Sequence, residues 1–285
     1  MRFCCGVTLF YPTENELESI VKYKGVFERV YIFDNTEGVD CKKVENYFTG
    51  KNGFTYLSNQ QNDGLSVAFN VMCQRAIEEG FDYICLFDQD SFISDKDLSK
   101  MINFIGSDKS SKVGIYVPEI VYNHLDESKA FPDTNVNFIE VDWAISSGSF
   151  INLYIYRKTQ GFDENYFIDR LDFDYCNTIR ILGFNIIRFK NAILYQSLGE
   201  KKRVLFSNVS QHNALRHYYI FRNRMYFYLK KNNFSLYRVL KLSLMSINHL
   251  LKILVLEDQK KNKISMVVVG SKDFFYGKMG KYSKK

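Results

Sequence analysis

Short apolar runs alternate with amphipathic stretches over the first hundred residues. Phe3 to Phe10, Arg29 to Phe33, Phe54 to Leu57 and Tyr83 to Phe87 read as four strands. Between them, Glu14 to Tyr23 reads as a helix capped by Thr13. Ser66 to Glu79 reads as another, with Phe69, Met72, Cys73, Ala76 and Ile77 on one face and Gly80 beyond its end. The fourth run is apolar and aromatic throughout, which suits an interior strand of a parallel sheet better than a helix. This order predicts an α/β fold with a mostly parallel central sheet flanked by helices.

From about residue 110 the pattern is mixed. Val113 to Val117 and Phe138 to Val141 read as strands around a polar loop at 122–137, followed by a small-residue turn at Ser146-Ser147-Gly148-Ser149. That turn either lets a ligand approach the backbone or simply packs. A helix near 172–182 and a strand at 184–189 follow. His212 to Lys231 reads as a helix rich in Arg and Tyr. Leu236 to Leu256 reads as an amphipathic one, with Leu236, Leu240, Leu244, Ile247, Leu251 and Leu254 on one stripe. The expected division is 1–200, in halves 1–100 and 101–200, and a helical region 201–285.

Charge sharpens that division. Residues 200–285 hold 19 Lys and Arg against 4 Asp and Glu, a balance of +15, whereas the rest hold 19 against 28. A basic amphipathic helix suits an anionic membrane surface, although packing on its own domain explains the stripe as well. Arg238, Lys241, His249 and Lys252 argue against a helix that crosses the bilayer. The six cysteines lack C-x-x-C spacing and read as buried thiols of a reducing compartment. The N-terminus, broken at Pro12, makes a poor signal peptide. The expected location is therefore cytoplasmic, peripheral to the inner face of the membrane. No nucleic-acid motif accompanies the basic segment, and a homo-oligomer remains compatible with the sequence.

The chemistry centres on Asp88 and Asp90, just past the fourth strand, where open α/β sheets bind ligands. Two carboxylates one residue apart can present oxygens to Mg²⁺ or Mn²⁺, and such a cation would hold the phosphates of a nucleotide. A solvated loop beside a helix cap is the plainer reading of the same pair. Asp34 ends the second strand at the same sheet edge, where it can accept a hydrogen bond from a base or ribose; a structural turn at Asp34-Asn35 is the alternative. Asn62, Asp63 and Gly64 lead into a helix N-terminus that favours a phosphate or acts only as a cap. Asp169, Asp172 and Asp174 lie near apolar residues, which can raise a carboxyl pKa toward general-base duty. Helix capping by Asp169 or Asp172 is the competing reading.

Taken in order, these segments resemble the inverting family-two glycosyltransferases of GT-A fold, nearest the rhamnosyltransferase-like branch. The matching pieces are the first strand with Thr8, Asp34-Asn35, Asn62-Asp63-Gly64 through Asn70, Asp88-Gln89-Asp90-Ser91, Ser146 to Ser149, Phe167 through Cys176, and His217 to Arg224. The resemblance runs from residue 3 to about 228, and more loosely to Lys281. It implies a UDP- or dTDP-sugar donor and a metal-dependent transfer to a hydroxyl of a glycan or lipid-linked acceptor. It also implies that Asp34 contacts the base, Asp88 the ribose and pyrophosphate, and Asp90 the metal. Asp172 becomes the base, supported by Asp174 or Asp169; Thr8, Asn62, Asp63, Gly64 and Arg222 line the donor. Gln196 stands where relatives usually carry a metal-binding histidine. An amide oxygen is a weaker ligand, and His212 or His217 are the candidates to replace it.

Two other functions compete. A phosphotransferase using Asp88 as nucleophile would want the pair after the first strand of its domain, but three strands precede it. A catalytically degenerate protein of the same fold, binding membrane or a partner through its basic tail, follows from the Gln196 departure.

Overall fold

The computed structural model describes residues 1–108, 110–122, 137–196, 201–204, 207–210, 212–231 and 235–284. The polar loop expected at 122–137 lies, apart from its ends, outside the described residues, as do Leu198 to Glu200. Two compact units are present: Met1–Asp163 with Asp172–Ser197, and Glu164–Leu171 with Leu198–Lys285. The break lies beside the expected position 200, but the short segment Glu164–Leu171 groups with the C-terminal unit.

In the first unit the elements run β1 (Phe3–Leu9), α1 (Glu14–Val21), β2 (Arg29–Asp34), α2 (Cys41–Phe48), β3 (Phe54–Ser58), α3 (Leu65–Glu78), β4 (Tyr83–Asp88), β5 (Ser91–Ile93) and α4 (Asp95–Ser107). They continue with β6 (Val113–Tyr122), β7 (Phe138–Glu140), β8 (Ser149–Asn152), α5 (Leu153–Tyr156), α6 (Leu171–Ile181) and β9 (Asn185–Gln196). Among the described residues the strands form one sheet in the order β3-β2-β1-β4-β8-β6-β9-β5, with β7 on β9. β3, β2, β1 and β4 are mutually parallel, and β8 enters antiparallel to β4.

The local causes are visible in the side chains. Thr13 and Glu16 form a reciprocal capping box at the start of α1. α3 buries Ala68, Phe69, Met72, Cys73 and Ala76, as its periodicity requires. On the core cluster to which α1 and α4 contribute, Tyr23 stacks on Phe87 at 4.4 Å between ring centroids. All six cysteines are free and buried. β8 escapes the pattern because it is four residues long and follows a turn of small residues. α4 announces itself only by its Ser94 cap and the acids Asp95 and Asp97 in its first turn.

The second unit holds β10 (Lys201–Val204) paired with β11 (Ser207–Ser210), then α7 (Ala214–Met225), α8 (Leu236–Leu256) and α9 (Lys260–Phe275). A π-helical turn, Tyr226–Lys231, extends α7. Ile253 of α8 packs with Phe221 of α7 and Val267 of α9. The six stripe residues of α8 face the other way and are 47–69% exposed. By length and composition α8 is long and apolar enough to cross a membrane, which its charges had argued against.

A buried polar chain ties these helices together. Arg224 Nη2 lies 3.3 Å from His249 Nδ1, His249 Nε2 lies 3.0 Å from His217 Nδ1, and His217 Nε2 lies 3.0 Å from Glu257 Oε2. Lys263 Nζ donates to the same Glu257 oxygen at 2.8 Å. One tautomer choice, Nε2–H on both rings, satisfies every contact. Burial first, and neighbouring arginines second, push His249 and His212 down to about 4; burial also lowers His217.

Two predictions follow from these arrangements. Gly148 has φ +74, and a Cβ there would lie 2.9 Å from Pro118 Cγ and 3.1 Å from Leu194 Cδ1. Gly148→Ala should cost about 1–3 kcal/mol in urea unfolding; an unchanged midpoint would refute the strained turn. His249 and His212, each partly buried, have folded pKa values below their unfolded ones, so the unfolded chain binds more protons as pH falls from 6.5 towards 4. Thermal stability should therefore drop between pH 7 and pH 5, and less steeply in His249→Asn; a flat melting profile would contradict the assignment.

Candidate active site

Three adjacent parallel strands end at one level. Leu9 of β1 pairs with Asp34, and Thr8 pairs with Asp88 on its other side. The sheet therefore sets Asp34, Thr8 and Asp88 in a row at its C-terminal edge, as the sequence pattern required. Asp34 is fully buried; its Oδ1 accepts from the Thr36 amide at 2.9 Å and its Oδ2 from the Tyr56 hydroxyl at 2.9 Å. Burial, and next that hydrogen bond, raise the Tyr56 phenol well above its ordinary range. Thr8 is buried, and its Oγ1 has no hydrogen-bond partner among the described residues.

The loop before α3 is tied to the same edge. Asn35 Oδ1 accepts from the Asp63 amide at 2.9 Å, and Asn62 Oδ1 from the Gly64 amide at 3.1 Å. Gly64, at φ +86, turns the chain into α3. The Asp63 carboxylate accepts from the side-chain nitrogens Asn59 Nδ2 and Gln61 Nε2. Ser66, in the first turn, is buried with its Oγ lacking a hydrogen-bond partner among the described residues.

At the centre, the intervening Gln89 is a brace. Its Oε1 accepts from the Phe10 amide at 2.7 Å, and its Nε2 donates to Glu16 at 3.2 Å, so Gln89 clamps the exits of β1 and β4. Asp90 keeps an exposed surface, but partial loss of hydration, reinforced by the charge of Glu16, raises its carboxyl above the usual range. Ser147 supports the pair from behind: its Oγ accepts from the Asp88 amide at 3.2 Å and donates to Ser91 Oγ at 2.7 Å. The sequence marked this turn as small without giving Ser147, Ser91 or Gln89 a task. The antiparallel pairing of β5 with β9 sets Gln196 opposite Ser91, and Gln196 Nε2 lies 3.1 Å from Asp88 Oδ2. The position marked by the resemblance thus lies against Asp88 in the fold.

Asp172 and Asp174 sit in the first turn of α6, where the helix dipole favours negative charge. Asp172 Oδ1 accepts from the Ser146 amide at 3.2 Å, which joins the small-residue turn to the expected base. Asp174 is buried. Asp169 belongs to the second unit. Its φ of +61 and that of Arg170, +73, are two consecutive left-handed residues, a conformation costing about 1–3 kcal/mol each. Asn223 Nδ2 holds this turn by donating to the carbonyls of Ile168 at 2.6 Å and Asp169 at 3.1 Å. Burial raises the Asp169 carboxyl, with Arg216 opposing.

Arg222 is fully buried in the second unit. Its nitrogens donate to the Tyr218 hydroxyl, the Gly280 carbonyl and Asn223 Oδ1 at 2.8–3.2 Å, so each already has a protein partner. His217 belongs to the second unit and is held there in the polar chain with His249 and Glu257. His217, His249 and Glu257 have ligand atoms within 4.8 Å of one another. Lys263 already holds the carboxylate and Arg224 faces the far ring, so fixed positive charge opposes a cation there.

With this sheet and the carboxylates at its C-terminal edge, the chain belongs to glycosyl transferase family 2, whose model matches residues 14–187. Its central sheet and flanking helices are the GT-A fold. It is 24% identical over 222 residues to the dTDP-rhamnosyl transferase RfbF of Shigella flexneri, covering 72% of this chain and 71% of that protein. Among solved structures, S. aureus TarS 1–349 in complex with UDP-GlcNAc superposes with a TM-score of 0.59 at 12% identity, covering 96% and 80%. GalNAc-T7 with UDP, GalNAc and Mn²⁺ superposes at 0.57 and 12% identity; 87% of this chain is covered, and just over half, 54%, of that structure.

Proposed function

We propose that this glycosyltransferase moves rhamnose from a dTDP-sugar, or a related sugar from UDP, to a hydroxyl of a lipid-linked glycan with inversion at the anomeric carbon. The observation that supports this most is the aligned row of Thr8, Asp34 and Asp88, with Asp172 anchored on Ser146 at the neighbouring turn. Asp34 would accept from a pyrimidine through lone pairs beyond those bonded to Thr36 and Tyr56. The Thr8 hydroxyl, without a hydrogen-bond partner among the described residues, has bonding capacity to give to the donor. Asn62, Asp63 and Gly64 present the α3 N-terminus to an anionic group. Asp172 takes the acceptor proton as the new bond forms, and Asp174 shares the same helix end. A single displacement inverts configuration.

The residues present fit a hard cation. Asp88 and Asp90 offer carboxylate oxygens, and the Gln196 amide lies against Asp88, where rotating its side chain brings its oxygen to bear. Mg²⁺ or Mn²⁺ held there would offset the charge of the departing diphosphate. We further propose that α8 lies on the anionic inner face of the cell membrane. Its exposed stripe carries Arg238, Lys241 and Lys252 on the same helix and no acid. Arg224, which donates to the Met245 carbonyl, and the bond from His217 to His249 fix the inner face of α8 to α7, favouring a helix that lies flat over one that spans.

Asp90→Ala and Asp172→Ala should each lower transfer at least about 100-fold. Donor binding should survive only in the second, and NMR of the product should show the inverted anomer. Transfer at the normal rate by either variant would rule out the assigned roles. In vesicle flotation, the full chain should bind phosphatidylglycerol membranes and the double variant Leu244→Glu/Leu251→Glu should stay in solution. Equal flotation of both would exclude α8 as the contact.

A further inference from the structure

The chain has one tryptophan, Trp143. It is stacked on Phe173 with ring centroids 4.5 Å apart and planes at 23°. Phe173 covers one face of the indole, yet Trp143 remains 46% exposed. The other face is therefore largely open to solvent.

This exposure is held in place by four contacts that fasten the segment 142–146 along α6 and β9. Asp142 pairs with Arg180 at 2.8 Å, and the Trp143 carbonyl accepts from Arg188 at 3.5 Å. The Ala144 carbonyl receives the Cys176 thiol at 3.7 Å, and the Ser146 amide is the donor that holds Asp172. Phe173 is the next residue after Asp172. A rigid, half-open aromatic surface is thus fixed beside the carboxylate assigned as base.

We infer that Trp143, backed by Phe173, is the platform on which a sugar ring of the acceptor stacks. The C–H face of a pyranose is apolar and slightly positive, and the face of an indole is apolar and negative, so the two are complementary. A donor base is a poorer occupant. Asp34 lies at the end of β2, on one flank of β4, whereas the Trp143 segment leads into β8 on the other flank. An anionic membrane is poorer still, because each ring of the stack has an acidic neighbour in sequence, Asp142 before Trp143 and Asp172 before Phe173. The inference rests on the transferase reading only for the assignment of the sugar as acceptor.

The single tryptophan makes the test direct. Methyl α-L-rhamnopyranoside and methyl β-D-galactopyranoside should shift the intrinsic emission of the full chain saturably, whereas sorbitol, which has no ring face, should not. Trp143→Ala should raise the acceptor KM about tenfold, with donor affinity and donor hydrolysis unchanged, and Trp143→Phe should restore most of it. No emission response to any glycoside, or an unaltered acceptor KM in Trp143→Ala, overturns the inference. Donor binding is followed separately by thermal shift: its absence in the unaltered protein would remove the transferase reading, and the glycoside response would still decide whether Trp143 is a sugar platform.

Discussion

The parallel ladder joining β2, β1 and β4 sets the height at which each strand delivers its last residues. Thr8 pairs with Asp88 and Leu9 with Asp34, so no loop has to carry these groups into place. A shift of one residue in either register would turn the alternate set of side chains to the wrong face. The fully buried run of β4 holds that register because Ile84, Cys85, Leu86 and Phe87 have no solvent-facing alternative. A fully buried stretch of the sheet and the exposed Asp90 are thus only a few residues apart in the chain.

Around this frame the site is assembled from short-range polar braces. Gln89 locks two strand exits together, and Ser147 links the Asp88 amide to Ser91. The Ser146 amide holds Asp172. These groups are uncharged, so they position the carboxylates without neutralising them.

Much of this was legible in the chain because it rests on local patterns. The strands from Phe3 to Phe87, the helix at 66–79 and the stripe of α8 each show a period that one element alone can produce. Gln196 was marked by the family resemblance, as the position where relatives carry a histidine. The Ser147 bridge was not, since its partners lie 59 and 56 residues away. Arg222 looks like a ligand group in its motif, and in the fold each of its nitrogens also meets a partner within its own unit. The histidine chain across α7 and α8 left no trace in spacing, because its members come from three elements.

Gln196 has a further consequence. Its terminal amide can show either hydrogens or an oxygen to the space beside Asp88, and the change is a rotation about one bond. No proton is gained or lost in that rotation. A histidine at the same place would add its own titration to every loading and release. In the proposed reading, a cation at the acidic pair would meet one fewer titrating group with glutamine there than with histidine.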